Sequence, residues 1–321
     1  MTRREGEDGA MTDATGGFDV VCLGESMALL APESIGPLTD GTALRLSVAG
    51  AESNVAVNLA GLGADVAWCG RVGADPFGAM IIDRLSDAGV DVGSIQVDTT
   101  LPTGVYFKDP QGGTVYYYRS GSAASAIDTS FIARLPTTKL IHVSGITPAL
   151  SPHCAEAVQH LIVDRPHPAT ISFDVNHREK LWPAEFAAPV LRRLANASDL
   201  VFVGRDEAEN LWGTATPQQV RDHLDQVATL VVKDGAVGAT VYCGNDEWFV
   251  PTPPVTVVEP VGAGDAFAAG YLYALTRNAH REVGLRLGHL MAAAVLGVTG
   301  DIGPAPDPAQ IERVITDGDG R

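Results

Sequence analysis

Gly262-Ala263-Gly264-Asp265-Ala266-Phe267 opens the apolar run Ala266-Phe267-Ala268-Ala269-Gly270-Tyr271-Leu272. Glycines let a backbone approach a ligand closely, and the start of a helix directs unpaired N–H groups and a partial positive charge outward. Such a turn binds an anion. Asp265 in the same turn adds a carboxylate able to take a proton from an attacking hydroxyl. Taken alone, an aspartate at a helix start is more often a cap. With both glycines before it, the stretch implies phosphoryl transfer to an alcohol. It is not a Walker loop, since no lysine follows the glycines, and it lacks the G-x-G-x-x-G spacing of dinucleotide sites.

From Asp19 onward the chain alternates β-rich and helical runs. Val20-Val21-Cys22-Leu23 reads as a buried strand, Glu52 to Leu62 as a helix ending at Gly63, and Val66-Ala67-Trp68 as the next strand. A helix through Met80-Ile81-Ile82-Asp83-Arg84-Leu85 stops at Gly89, and strands are expected at 139–143, 170–174, 199–203 and 229–233. This order predicts an α/β fold, a mostly parallel sheet with helices on both faces. Ligands then sit at the carboxyl ends of the strands. Residues 31–49 and 97–119 interrupt the alternation. The second stretch places Gly104-Val105-Tyr106-Phe107-Lys108 and Thr114-Val115-Tyr116-Tyr117-Tyr118-Arg119 around a turn at Asp109-Pro110-Gln111-Gly112-Gly113, a hairpin pattern. Together the two stretches predict a small second sheet, either a lid over the ligand edge or an ordinary edge hairpin.

The 321 residues are 45% hydrophobic and 19% charged, which predicts a sizeable core and excludes global disorder. A formal net charge of −17 argues against nucleic acid and anionic membranes as partners. With only 22 Lys plus Arg, each cation inside a motif carries weight. Cys22, Cys69, Cys154 and Cys243 are far apart and form no C-x-x-C pair, so reduced core thiols are expected rather than disulfides. No apolar run reaches transmembrane length and the first residues are polar, so a soluble cytoplasmic protein is expected, with residues 1–17 a flexible leader.

The hexapeptide at 262–267 resembles the C-terminal signature of the ribokinase-like (PfkB) carbohydrate kinases. That resemblance implies Asp265 as the base and Gly262, Ala263 and Gly264 as the anion hole; Val261 departs from the family's threonine. Ala49-Gly50-Ala51-Glu52-Ser53-Asn54-Val55-Ala56 resembles the N-terminal signature, with Ala49 in place of the first glycine, and implies sugar contacts from Gly50 and Asn54. Lys233-Asp234-Gly235-Ala236-Val237-Gly238 resembles the nucleotide-side turn, placing Lys233, Gly235 and Gly238 on the nucleotide; a solvated lysine at a strand end is nearly as good a reading. Val203-Gly204-Arg205-Asp206-Glu207 stands where the family has Asn-x-x-Glu, which implies that Glu207 orders Mg²⁺ through water, although Gly204 replaces the Asn. Without the family, Glu207 reads equally well as an acidic first turn of a helix. The resemblance runs from Asp19 to the end and implies a three-layer α/β/α ribokinase-like fold with a small β-sheet lid. The expected division is a kinase core of 18–30, 50–96 and 120–321 and a lid of 31–49 and 97–119, with ATP and Mg²⁺ as cofactors and a homo-oligomer through the lid as an option.

The acceptor is narrowed by cations. Arg178, in Asp174-Val175-Asn176-His177-Arg178-Glu179-Lys180-Leu181-Trp182, leaves a strand at the ligand edge, and Tyr117 and Arg119 stand two apart at the end of the hairpin. Two guanidinium groups suit a sugar acid better than a neutral sugar; each alone would more often be a surface ion pair. Leu29 occupies the slot where ribokinases and fructokinases carry a sugar-binding Asp. These runs, with His142-Val143-Ser144-Gly145-Ile146-Thr147-Pro148, resemble 2-keto-3-deoxygluconate kinases more than other members. The resemblance implies substrate contacts from Gly50, Tyr106, Tyr117, Arg119 and Arg178 beside Asp265. The alternatives are a kinase of fructose, ribose or a nucleoside, and more remotely a non-catalytic sugar or nucleotide sensor.

Overall fold

The computed structural model describes residues 17–33, 38–109 and 114–318. The leader through residue 16, residues 34–37 and the hairpin turn at 110–113 lie outside the described residues. Strands run, in chain order, over β1 (Phe18–Leu23), β2 (Met27–Pro32), β3 (Leu44–Ala49), β4 (Val66–Cys69), β5 (Arg71–Gly73), β6 (Gln96–Asp98), β7 (Val105–Asp109) and β8 (Thr114–Tyr118). They continue with β9 (Thr138–Ser144), β10 (Thr170–Asp174), β11 (Leu200–Gly204), β12 (Thr229–Asp234), β13 (Gly238–Cys243) and β14 (Asp246–Pro251).

Among the described residues the main sheet has the order β14-β13-β12-β11-β10-β9-β1-β4. From β4 to β12 every pairing is parallel, and β13 and β14 extend the sheet as an antiparallel hairpin. Its central strands are mostly apolar because both faces are covered. Val21, Leu23, Ile141, Ile171, Phe173, Val201 and Leu230 face one helical layer with Leu161, Leu191 and Leu194. Val20, Cys22, Leu140, Leu200, Phe202 and Val231 face the other, with Leu59, Phe267, Tyr271 and Leu285. Alternate side chains thus build two cores, one on each side of the sheet. This is the three-layer α/β/α arrangement.

Helix starts follow local chemistry. Pro76–Asp87 begins with proline at its first position, and Asp75 accepts the Gly78 N–H at 2.9 Å. It ends before Gly89, whose φ of +83° suits glycine.

The chain passes from β1 to β4 on one side and then to β9 on the other, so the sheet reverses direction at β1. A crevice opens there at the carboxyl ends. Over it lies a second sheet of order β3-β2-β7-β8. The run from Val20 to Leu29 is divided between the two sheets. It breaks at Gly24-Glu25-Ser26, and the half from Met27 onward pairs with β3 and β7 in the small sheet. Met27, Leu29, Ala31, Ala49 and Tyr106 form that sheet's own buried face. Lys180 Nζ, from the core, contacts Thr114 Oγ1 of β8.

Candidate active site

The crevice is a cavity of about 990 Å³. Its floor is the glycine turn. Gly262 has φ +81° and caps the helix Ala263–Thr276. A Cβ on Gly262 would lie 2.2 Å from the Asp301 carbonyl oxygen, so both the conformation and the space require glycine. Asp265 falls in the first turn of that helix. The Asn54 Nδ2 donates to Asp265 Oδ2 at 2.9 Å, joining residues 211 apart. Asn54 stands on the first turn of the helix Ala51–Gly61, whose cap Gly50 is pressed against the Glu25 carbonyl; a Cβ there would come within 2.3 Å of it. Burial pushes the Asp265 carboxyl up to about 7, and the charge of Asp174 adds to the shift. The hydrogen bond from Asn54 and the charges of Arg178 and Lys233 oppose it. A carboxylate that titrates near neutrality is suited to take a proton.

The carboxyl ends of β10, β11 and β12 form one wall. Lys233 Nζ donates to Asp174 Oδ2 at 2.9 Å. It would stand 3.5 Å from a Cβ on Gly264, so the ammonium borders the glycine turn. The Glu207 carboxylate accepts from the Gly204 N–H at 3.1 Å and from the His177 N–H. Burial and the Asp174 charge push it up to about 7, against the charge of Lys233. Among the described residues no three His, Cys, Asp or Glu side chains could together hold a metal. Asp174, Asp206 and Glu207 do line the cavity. One or two carboxylates beside bound phosphates are the donor set that a hydrated Mg²⁺ accepts, so the residues present fit that ion.

The arginines and tyrosines complete the lining. Arg178 follows β10 in a loop fixed by Asn176 at φ +41° and by a turn from Leu181 N–H to the Arg178 carbonyl at 2.8 Å. Its side chain is exposed, and among the described residues it makes no ion pair, only a hydrogen bond to the His177 carbonyl at 3.2 Å. Arg119, one residue beyond the end of β8, has a side chain only 9% exposed and is paired with Glu25. Ser122 Oγ donates to the other Glu25 oxygen at 2.7 Å. The Arg119 guanidinium carbon also stands 5.5 Å from the Tyr117 ring centroid, and Tyr117 lies 5.5 Å from Tyr106.

Gly50, Asn54, Tyr106, Tyr117, Arg119, Arg178, Glu207, Lys233, Gly262, Gly264 and Asp265 all line this one cavity. Gly235, Gly238, Ala263 and Leu29 are not among its lining residues. Gly235, at φ +48°, serves the turn between β12 and β13, and Gly238 is packed under Phe249. Leu29 packs within the small sheet, and the β2 side chain that reaches the cavity is Met27. Leu29 is paired in register with Tyr106, which lines the cavity.

Sequence reasoning missed Glu25 and Asp174 as members of the site. Glu25 was signalled by Gly24-Glu25-Ser26, a polar interruption between two apolar runs. Asp174 stands at a strand's carboxyl end, the same position that singled out Arg178.

The family model for pfkB family carbohydrate kinases matches residues 18–308. A 2-dehydro-3-deoxygluconokinase of Bacillus subtilis (strain 168) is 36% identical over 303 residues, covering 90% of this chain and 93% of the relative. One of Thermoproteus tenax is 34% identical over 313 residues, covering 93% and 94%. Among solved structures, the fructokinase with bound ATP from Xylella fastidiosa superposes with a TM-score of 0.81 at 25% identity, covering 93% of this chain and 98% of that one.

Proposed function

The chain belongs to the pfkB family of carbohydrate kinases, and from that premise we propose that it transfers the γ-phosphoryl group of ATP to the terminal hydroxyl of 2-dehydro-3-deoxygluconate or a close keto-deoxy sugar acid. The observation that carries this reading is Arg178, a guanidinium that lines the cavity holding Asp265 and has no carboxylate partner among the described residues. A carboxylate on the acceptor would supply its missing partner in fork geometry. The names of the two relatives at 34 and 36% identity support the same acceptor.

In this mechanism Arg178 binds the sugar carboxylate and Arg119, held by Glu25, adds donors beside it. Tyr106, Tyr117, Gly50 and Asn54 contact the remainder of the sugar. Asp265 takes the proton of the terminal hydroxyl as its oxygen attacks the γ-phosphorus; the new O–P bond forms as the bond to the bridging oxygen breaks and ADP leaves. The amides of Gly262–Gly264, at a helix N-terminus, face the charge on the transferring group, and Lys233 meets the nucleotide phosphates. Glu207 would hold Mg²⁺ through water, and the ion when bound neutralises phosphate charge. The small sheet covers the acceptor and keeps water from the phosphoryl group.

One observation favours a second reading. Glu25 already balances Arg119, leaving Arg178 as the one arginine of the two without a carboxylate partner among the described residues, so a neutral sugar such as fructose is the competing acceptor. An ADP-release assay over 2-dehydro-3-deoxygluconate, its galactonate-derived epimer, fructose and ribose separates them. The proposal expects the highest kcat/KM with a sugar acid; a preference for fructose or ribose would overturn it.

A further inference from the structure

Lys108 has no part in the roles assigned above. It stands two residues after Tyr106 on β7, so both side chains share the sheet face toward the cavity. Its ammonium donates to Glu259 Oε1 at 2.7 Å and to Asp301 Oδ1 at 3.0 Å. Those carboxylates come from two different loops of the core, and both loops shape the glycine turn. Glu259 lies three residues before Gly262. The Asp301 carbonyl rests against Gly262, at the place where a Cβ would clash. The loops are also stitched together, with Glu259 Oε2 accepting the Gly300 N–H at 3.0 Å and the Val258 N–H donating to the Leu296 carbonyl at 2.7 Å. All three charged side chains are largely buried, with Asp301 only 7% exposed. A cation carried by the small sheet therefore holds both loops that fix the turn.

We propose that Lys108 is a positioning residue that makes the alignment of the Gly262–Gly264 turn depend on closure of the small sheet. With the sheet down, one ammonium draws Glu259 and Asp301 together and the turn is fixed. With the sheet lifted, two carboxylates face each other without a shared cation, and the turn loosens. Phosphoryl transfer is then supported only over a covered acceptor, which limits hydrolysis of ATP before the sugar binds. Burial disfavours the charged lysine, but the two carboxylates outweigh it and raise its pKa overall, so it is charged at neutral pH. The inference rests on the reading of that turn as the phosphate cradle.

The test compares Lys108→Ala with wild type and with Lys139→Ala, which removes an ion pair to Asp19 at the amino end of the sheet. Hydrogen–deuterium exchange of peptides spanning 258–264 and 298–303 is expected to quicken in Lys108→Ala alone, with β1 unchanged. With the acceptor that wild type prefers, kcat should fall by about 10- to 100-fold, the scale of a small misplacement of reacting groups, with KM for the sugar largely kept. Added ethylammonium should restore part of kcat in Lys108→Ala and none in wild type. Unchanged exchange at the turn would overturn the proposal, as would lost activity accompanied by uniform destabilisation and no rescue. Should wild type phosphorylate no sugar, the functional reading fails, while the exchange experiment still decides whether Lys108 holds the turn.

Discussion

Asp265 is asked to ionise where ionisation is unfavourable, and that has measurable consequences. In the proposed role of base it must be deprotonated, so with a pKa raised to about 7 by burial, kcat/KM should rise about tenfold per pH unit below 7 and level off above it. Asp265→Asn keeps an oxygen for Asn54 but accepts no proton, and kcat should drop by roughly 10²–10⁴-fold with binding largely intact. Stability should move the other way. A carboxyl whose pKa is raised in the folded state is neutral in both states below about pH 4. Above that, the unfolded chain ionises first, and native stability falls until the folded group ionises near 7. Thermal melts should therefore show Asp265→Asn more stable than wild type at pH 8 and equal to it near pH 4. Arg119 obeys a different rule, because its partner Glu25 is buried. Arg119→Ala should cost about 3–5 kcal/mol in urea unfolding by stranding that carboxylate. The double variant Glu25→Gln with Arg119→Ala should recover much of this loss without recovering affinity for the sugar acid.

At the scale of elements, the glycine turn is set by its contact with Asp301 as much as by its own sequence. Gly262→Ala meets both a left-handed backbone and a carbonyl 2.2 Å from the new Cβ. It should lower stability by about 1–3 kcal/mol, read from denaturant midpoints, and abolish most turnover. The turn, the helix behind it and the parallel strands were legible because each is encoded by a local pattern: glycines, apolar periodicity, β-branched runs. The division of the run from Val20 to Leu29 was not, since the residues on both sides of Gly24-Glu25-Ser26 are equally apolar. Nor was the hairpin of β13 and β14 anticipated, because Asp246-Glu247-Trp248-Phe249-Val250 lies at the sheet's end and carries an exposed face. The ion pairs Glu25 with Arg119, Asp174 with Lys233, and Lys108 with Glu259 and Asp301 join distant segments, and no local spacing encodes them. Gly235 and Gly238 show the converse, glycines whose place in the hairpin is explained by a φ of +48° and by contact with Phe249.

Across the whole molecule the site is assembled from segments that meet only in the finished fold. Asn54, Asp174, Glu207, Lys233 and Asp265 arrive from the carboxyl edge of one sheet and the helices beside it, and Tyr106, Tyr117 and Lys108 from a second sheet laid over that edge. The chain carries a formal net charge of −17, yet Lys108, Arg119, Arg178 and Lys233 all line this cavity. Eight carboxylates line it too, so an anionic ligand would be met there by individual cations and backbone amides rather than by a net positive field. Of these four cations Arg178 alone has no carboxylate partner among the described residues, and the choice of acceptor rests on it. The decisive measurement is kcat/KM for 2-dehydro-3-deoxygluconate and for fructose in wild type and in Arg178→Ala. Losing a charged hydrogen-bonding partner should lower the value for the sugar acid by roughly 10- to 100-fold and leave the value for fructose nearly unchanged. Equal values for the sugar acid in the two proteins, or a wild type that prefers fructose, would contradict the account.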